Sequence, residues 1–315
     1  MSTAYVLAID QGTTGTTALL IDEKLNILAK VNQEFSQHYP KPGWVEHDLN
    51  EIWQSTVKTI QRVLKKSRIN ASRICAIGVA NQRETTCLWN KKTGAPLFRA
   101  IVWQCRRTEK ICKDLKNRGK EDLFRKKTGL LLDPYFSGTK LKWYFDQYPT
   151  LFRKALNNQV SFGTIDSYLV SKLTDRGVHV TDVSNASRTL LFNLETLSWD
   201  EELLDILRIP KQILPQVCSS SETYGKTKNV PGLPNGIPIS GIAGDQQSAL
   251  FGQASFHAGD TKCTYGTGSF LLLNTGTKIV YSKHKLLTTV AWKIGNKVSY
   301  ALEGSAFIAG AAVQW

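Results

Sequence analysis

The chain has 315 residues, of which 42% are hydrophobic, so it is long enough to bury a large core and to contain more than one domain. Its formal net charge of +14 is not concentrated: the densest basic region, residues 106–127, is interrupted by Glu109, Asp114, Glu121 and Asp122 and lacks regularly interleaved aromatic residues. We therefore expect no nucleic-acid binding.

Membrane insertion, export and zinc binding are also not expected. No stretch approaches the ~20 apolar residues of a membrane span, and the first residues lack the pattern of a secretion signal. The six cysteines form no C-x-x-C pair, and the five histidines do not cluster with them at ligand spacing. These features predict a cytoplasmic protein with reduced thiols and no transition metal.

The chain opens with a short turn rich in glycine and threonine, residues 10–14, between apolar segments at 5–9 and 18–22. A similar turn at residues 264–268 lies between segments 261–263 and 270–273. Glycine lets the backbone approach an anion, while threonine hydroxyls and main-chain N–H groups donate to phosphate oxygens. We predict two β-hairpins that hold a nucleotide phosphate tail from two sides; two ordinary hairpins are the alternative.

Strands and then helices are expected between these hairpins. The expected strands lie within residues 26–39 and at 74–79, 85–89 and 97–102, and apolar residues at helical spacing predict a helix from Ile52 to Leu64. Further helices are predicted at 107–118, 137–148, 165–173 and 199–207, followed by a strand at 237–242.

The opening pattern begins again at Thr261. After the second hairpin come two strands at 287–294 and 298–302, then an apolar segment at 305–315 that is typical of the first turns of a buried helix. We predict two copies of one β-rich unit that face each other across a cleft, with a hinge near residues 252–259.

Several ordered motifs resemble those of the glycerol kinases, a group of the FGGY carbohydrate kinase family. The motifs occupy residues 10–14, 43–48, 81–86, 101–108, 133–140, 241–247 and 264–268. The resemblance covers essentially the whole chain and implies an α/β fold of the actin-like ATPase, ribonuclease-H-like type. It implies that residues 1–253 form the N-terminal FGGY domain and that residues 254–315 begin a second, incomplete domain, since family members are longer.

The resemblance also implies an activity: transfer of the γ-phosphoryl group of ATP to glycerol with Mg²⁺, by an enzyme that forms homo-oligomers. In this family the matching positions that hold glycerol are Arg83, Glu84, Tyr135 and Asp245, with Gln246 adjacent and with Trp103 and Phe270 on the C–H face. The chemistry suits a triol, because each hydroxyl both donates and accepts. Without the resemblance, Arg83 and Glu84 would be a surface dipeptide and the aromatic residues would be core.

The same resemblance assigns the reacting groups. Asp245 matches the catalytic base, although an aspartate after Gly244 could also be a helix cap. Asp10 matches the Mg²⁺ ligand, directly or through water. The nucleotide-side positions are Thr13, Thr14, Gly15, Thr17, Thr267, Gly310 and Gln314.

Two departures from the family pattern bear on function. Many relatives carry arginine where this chain has Thr17, and that loss of charge predicts weaker nucleotide binding. Gly236 stands where an arginine accompanies inhibition by fructose 1,6-bisphosphate in some members, so we do not expect that regulation.

Two alternative functions stay open. The chain could be a kinase for another polyol or a ketose, or it could be a noncatalytic remnant.

Overall fold

The computed structural model describes residues 4–266 and 268–310. The predicted nucleotide positions Thr267 and Gln314 therefore lie outside the described residues. Within them, no helix is long and apolar enough to cross a membrane.

The strands and helices alternate along the first two thirds of the chain, and strands dominate the last part. The strands are β1 (Tyr5–Gln11), β2 (Gly15–Asp22), β3 (Ile27–Glu34), β4 (Glu46–His47), β5 (Ile74–Asn81), β6 (Cys87–Asn90), β7 (Ala100–Ile101), β8 (Val160–Gly163), β9 (Val180–Asp182), β10 (Phe192–Asn193), β11 (Ser198–Trp199), β12 (Gln216–Cys218), β13 (Ser221–Lys226), β14 (Pro238–Gly244), β15 (Thr261–Tyr265), β16 (Ser269–Gly276), β17 (Leu287–Ile294) and β18 (Lys297–Ala306). The α-helices are α1 (Leu49–Ser67), α2 (Glu109–Asn117), α3 (Glu121–Thr128), α4 (Ser137–Gln147), α5 (Pro149–Leu156), α6 (Ile165–Leu173), α7 (Val183–Ala186), α8 (Glu201–Leu207) and α9 (Asp245–Gly252).

Both predicted hairpins are confirmed. β1 and β2 are antiparallel with Gln11 opposite Thr16, and β15 and β16 are antiparallel with Tyr265 opposite Ser269. β1 is flanked on its other side by the parallel strand β5, which in turn pairs with the parallel strand β14. The α/β class is therefore confirmed.

Helix α1 shows how local sequence and packing agree. The Asp48 side chain accepts a hydrogen bond from the main-chain N–H of Asn50 at 2.7 Å, which satisfies one of the free donors at the helix start. Ile52, Ile60 and Val63 lie on one face at helical spacing and are fully buried. The helix packs with this face against β2 and β3.

One large sheet carries strands from both predicted units. Within the described residues its order is β15-β16-β18-β17-β13-β14-β5-β1-β2-β3. The two parts meet at β13 and β17, where one residue pair, Ser221 and Ile294, is in parallel register. The two units thus share one sheet through a single residue pair between β13 and β17. The domain boundary between residues 253 and 254 stays a prediction.

The prediction of a buried helix from residue 305 is wrong at its start. Ser305 and Ala306 belong to β18, where they pair with Phe270 and Ser269 of β16, and both are exposed. Small residues fit a strand edge as well as a helix, so composition could not separate the two. Residues 311–315 lie outside the described residues.

Candidate active site

Three parallel strands end at the same edge of the sheet. In register, Gln11 of β1 lies beside Asn81 of β5, and Asn81 lies beside Gly244 of β14. The residues that follow these strands therefore emerge together, and the carboxyl edge of a parallel sheet is where α/β proteins place their sites. This register brings the first hairpin turn, the segment after Asn81 and the start of α9 to one place.

These segments line a cavity of about 310 Å³. All predicted glycerol positions border it: Arg83, Glu84, Trp103, Tyr135, Asp245, Gln246 and Phe270. Residues of both hairpin turns also line it: Thr13, Thr14, Thr264, Gly266 and Gly268. The sequence motifs, which are scattered over 250 residues, thus converge on one space.

A buried network of four charged residues adjoins this cavity, and two of them, Arg83 and Glu84, line it. Arg83 donates from Nη2 to Glu303 Oε1 at 3.2 Å, and Arg188 donates from Nη2 to the same oxygen at 2.7 Å. Arg188 Nε also donates to Glu84 Oε1 at 2.7 Å. All four side chains are at most 2% exposed. Two arginines and two glutamates balance in charge, which is what permits their burial.

The two carboxylates of the network differ in proton affinity. Burial alone would raise the pKa of Glu303, but Arg188 and Arg83 together hold that pKa below its usual value. Burial raises the pKa of Glu84, and Arg83 and Arg188 offset this only in part. Glu303 therefore keeps its negative charge more readily than Glu84 does.

Arg83 also reaches three further side chains. Its Nε lies 3.3 Å from Asp245 Oδ1, its Nη1 donates to Gln247 Oε1 at 3.3 Å, and its Nη2 donates to the Tyr135 hydroxyl at 3.3 Å. One guanidinium thus orients a phenol and a carboxylate from separate segments toward the cavity.

Aromatic rings also line the cavity. The Trp103 ring lies 5.7 Å from that of Tyr135 and 6.0 Å from that of Phe270, both edge-on. Trp103 Nε1 donates to Thr13 Oγ1 at 2.9 Å. Because Thr13 lies in the first hairpin turn, this bond connects the aromatic rings to the predicted phosphate site.

Asp245 is the first residue of α9, and Gly244 rather than Asp245 is the capping residue. The alternative interpretation as a helix cap is therefore wrong. One third of the Asp245 side chain is exposed to the cavity, and its Oδ1 accepts from the main-chain N–H of Gln246 at 2.8 Å. An accessible carboxylate at this position can act as a proton acceptor.

Asp10 lies at the edge of a second, adjoining cavity of about 500 Å³ that it shares with Asp245. Its side chain is exposed to this space, although the protein around it desolvates the carboxyl group in part. This desolvation and the nearby Asp245 carboxylate raise the pKa of Asp10 to about 6, whereas the positive charge of Lys30 acts in the opposite direction. Because the Asp245 carboxylate raises the pKa of Asp10, a cation bound beside Asp10 would be stabilised by both carboxylates.

The first hairpin turn is closed by main-chain contacts. The N–H of Gly12 donates to the carbonyl of Gly15 at 2.9 Å. A Cβ on Gly15 would lie 3.0 Å from the Gln33 carbonyl, so glycine is needed for this close approach. Thr17 lies directly opposite Asp10 on the neighbouring strand, and its hydroxyl accepts from Asn32 Nδ2 at 3.0 Å.

The second hairpin turn is held in a similar way. The N–H of Gly266 donates to the Gly268 carbonyl at 2.9 Å, and the N–H of Gly310 donates to the Gly266 carbonyl at 2.9 Å. Gly310 thus contacts the turn directly, which places this predicted nucleotide residue beside the cavity. Tyr265 of the same turn is 82% exposed.

Sequence reasoning missed four buried charged residues around the cavity: Arg188, Glu303, Lys140 and Lys262. Lys262 donates to Gln246 Oε1 and to Thr264 Oγ1. Glu303 follows the buried apolar residues Tyr300 and Ala301 of β18. A lone charge inside an apolar run is a signal that could have found it, because such a charge needs a buried partner.

Comparison with known proteins agrees with this geometry. Residues 5–252 match the N-terminal domain of the FGGY family of carbohydrate kinases. A glycerol kinase from Oceanobacillus iheyensis is 56% identical over 315 residues, which are 100% of this chain and 63% of that protein. The chain thus spans about 63% of the length of the curated relatives it matches.

Solved structures give the same result. The crystal structure of Plasmodium falciparum glycerol kinase with ADP aligns with a TM-score of 0.94 and 40% identity, covering 99% of this chain and 63% of that one. A gluconate kinase from Lactobacillus acidophilus aligns with a TM-score of 0.89 and 25% identity, covering 100% of this chain and 62% of that one. The predicted actin-like, ribonuclease-H-like fold is confirmed, and the chain belongs to the FGGY family of carbohydrate kinases, of which it carries the N-terminal part.

Proposed function

We propose that this chain takes part in the phosphorylation of glycerol to sn-glycerol 3-phosphate by ATP. The observation that carries the proposal is the convergence of Arg83, Glu84, Tyr135 and Asp245 on one cavity of about 310 Å³ beside two Gly/Thr hairpins. The 56% sequence identity between this chain and a glycerol kinase supports the choice of substrate.

The donor and acceptor pattern of the cavity supports a small triol. The guanidinium of Arg83 donates, the carboxylates of Glu84 and Asp245 accept, and the Tyr135 hydroxyl does both. The rings of Trp103 and Phe270 present an apolar surface suited to the C–H face of the carbon chain. A site built to bond each hydroxyl rejects analogues that lack one, because its buried polar groups would then be unpaired.

The chain's own residues account for the transfer step. A terminal glycerol oxygen attacks the γ-phosphorus, a new O–P bond forms, and the bond from the γ-phosphorus to the bridging oxygen of ADP breaks. Asp245 accepts the proton of the attacking hydroxyl, and a carboxylate suffices because proton uptake is late in a loose transition state. Thr13, Thr14, Gly15 and Gly310 would hold the phosphates. The proposed roles of Thr267 toward the phosphates and of Gln314 toward the nucleotide rest on the family resemblance.

Asp10 fits a magnesium ion. Mg²⁺ keeps several waters and uses one or two carboxylates together with phosphate oxygens. Within residues 4–266 and 268–310 there is no cluster of three or more His, Cys, Asp or Glu residues for a metal, which agrees with a site completed by water and phosphate. When bound with ATP, Mg²⁺ would neutralise phosphate charge. Cytoplasmic location and homo-oligomer formation remain predictions.

A coupled assay of ADP release from the purified chain tests the proposal. Glycerol, xylulose and gluconate are offered with Mg-ATP, and glycerol is expected to give the highest kcat/KM. Asp245→Asn should lower kcat by about 10²- to 10⁴-fold, whereas Asp146→Asn on the exposed face of α4 should leave kcat unchanged.

Two outcomes would overturn parts of the proposal. Faster turnover of gluconate or xylulose would show that the substrate is another polyol or a ketose. No turnover at any concentration would show that this chain alone is a noncatalytic remnant.

A further inference from the structure

Lys140 is a fully buried lysine on α4 that the proposed reaction does not use. Its Nζ donates to the main-chain carbonyl oxygen of Glu84 at 3.2 Å and to that of Tyr135 at 2.5 Å, rather than to a carboxylate. Burial of an ammonium group is costly, and here it lowers the pKa of Lys140 to about 8. The hydrogen bonds to these two carbonyl oxygens offset part of the cost of burying the ammonium group.

The first carbonyl belongs to a residue with an unusual backbone. Glu84 has φ of +60°, in the left-handed region that non-glycine residues seldom adopt. Its carbonyl also accepts from Ser137 Oγ at 3.0 Å. Two side chains of α4 thus hold the peptide group that follows Glu84, and this backbone conformation directs the Glu84 carboxylate toward Arg188.

The second carbonyl belongs to Tyr135, whose hydroxyl receives the hydrogen bond from Arg83. Glu84 follows β5 and Tyr135 precedes α4, so the two come from segments that are 51 residues apart in sequence. Lys140 is bonded to both at once. Its ammonium group therefore sets the distance between the main chain of the carboxylate residue and that of the phenol residue.

We propose that Lys140 is a positioning residue, which holds Glu84 and Tyr135 at the spacing that the polyol requires. This inference rests on the proposed function, since it assigns those two side chains to the polyol. Lys140 does not line the polyol cavity. It acts through the two main-chain carbonyls.

Calorimetric titration of the purified chain with glycerol and with Mg-ADP tests this role. Lys140→Met keeps the side-chain stem and removes the ammonium, and it should weaken glycerol binding by about tenfold or more. Mg-ADP affinity should stay within about twofold. Lys142→Met is the matched control, because Lys142 lies on the same helix and pairs with the exposed Asp146 at 3.1 Å; it should change neither affinity.

A double-mutant cycle separates positioning from a general structural role. If Lys140 acts through Tyr135, the effect of Lys140→Met on glycerol affinity should shrink in a Tyr135→Phe background. Additive effects, an unchanged glycerol affinity, or an equal loss of both affinities would overturn the inference.

A milder variant covers the case in which Lys140→Met does not fold. Ser137→Ala removes the other α4 donor to Glu84 and should weaken glycerol binding about threefold with Mg-ADP affinity unchanged; an unchanged glycerol affinity would then overturn the inference. If the wild-type chain does not bind glycerol, the proposed function itself fails. If the wild type binds glycerol and the variants bind it equally well, only the positioning role fails.

Discussion

The two ends of the cavity are built in different ways. At the polyol end, the side chains of Arg83, Glu84 and Glu303 are at most 2% exposed, and Arg83 forms an ion pair with each of the two glutamates. At the phosphate end, the described hairpin turns rely on main-chain groups, and Tyr265 is 82% exposed. Buried charges require fixed partners, whereas main-chain donors are supplied by almost any sequence that forms the turn. Substitutions should therefore cost more at the polyol end.

The largest effect is expected from Arg83→Met. The change leaves Glu303 and Glu84 with one cation fewer, and breaking a buried ion pair costs about 3–5 kcal/mol of unfolding free energy. Arg106→Met is the matched control, since Arg106 pairs with Asp133 at 2.8 Å while 42% exposed, and such pairs contribute about 0–1 kcal/mol. Urea unfolding measures both. Equal losses would contradict the claim that the buried ion pairs at the polyol end cost more to break than an exposed pair.

Asp10→Asn tests the phosphate end through pH. The folded pKa of Asp10, about 6, lies above its model-compound value of 3.8, so the folded protein binds the proton more tightly. In wild type this group therefore lowers stability as pH rises from below 4 to above 6. Without Mg²⁺, Asp10→Asn should be more stable than wild type at pH 8 and equal to it at pH 3, as measured by urea unfolding. If the variant is less stable than wild type at pH 8, the folded protein does not raise the pKa of Asp10.

The same substitution should weaken binding of Mg-ADP while leaving glycerol affinity unchanged, since Asp10 lies outside the polyol cavity. Calorimetry with each ligand measures this. An equal loss of both affinities would show that the two ends are not separate in function.

The smallest effect is expected from Thr17→Arg. Residues opposite each other on paired strands share one face of the sheet, so the new guanidinium would lie beside Asp10. It should lower the pKa of Asp10 and tighten Mg-ADP binding by about twofold to fivefold, the range of a surface charge pair. Thr17→Gln, which adds length without charge, is the control. Weaker nucleotide binding would contradict the placement of Thr17 near the phosphates.

Sequence reasoning recovered local features well and long-range electrostatics poorly. The hairpins, α1 and α6 follow from alternation and helical spacing, which are properties of neighbouring residues. Glu303, by contrast, is 220 residues from Arg83, and no local pattern shows that they meet. The short helices α3 and α5 were not predicted, although α8, which is one residue shorter, was. The site residues were found through family motifs rather than through spacing.

A crystal structure of the chain with glycerol, ADP and Mg²⁺ tests the central claim most directly. We predict glycerol within hydrogen-bond distance of Arg83, Glu84, Tyr135 and Asp245, with the ADP phosphates between the two hairpin turns. Glycerol bound elsewhere, or phosphates distant from both turns, would contradict it.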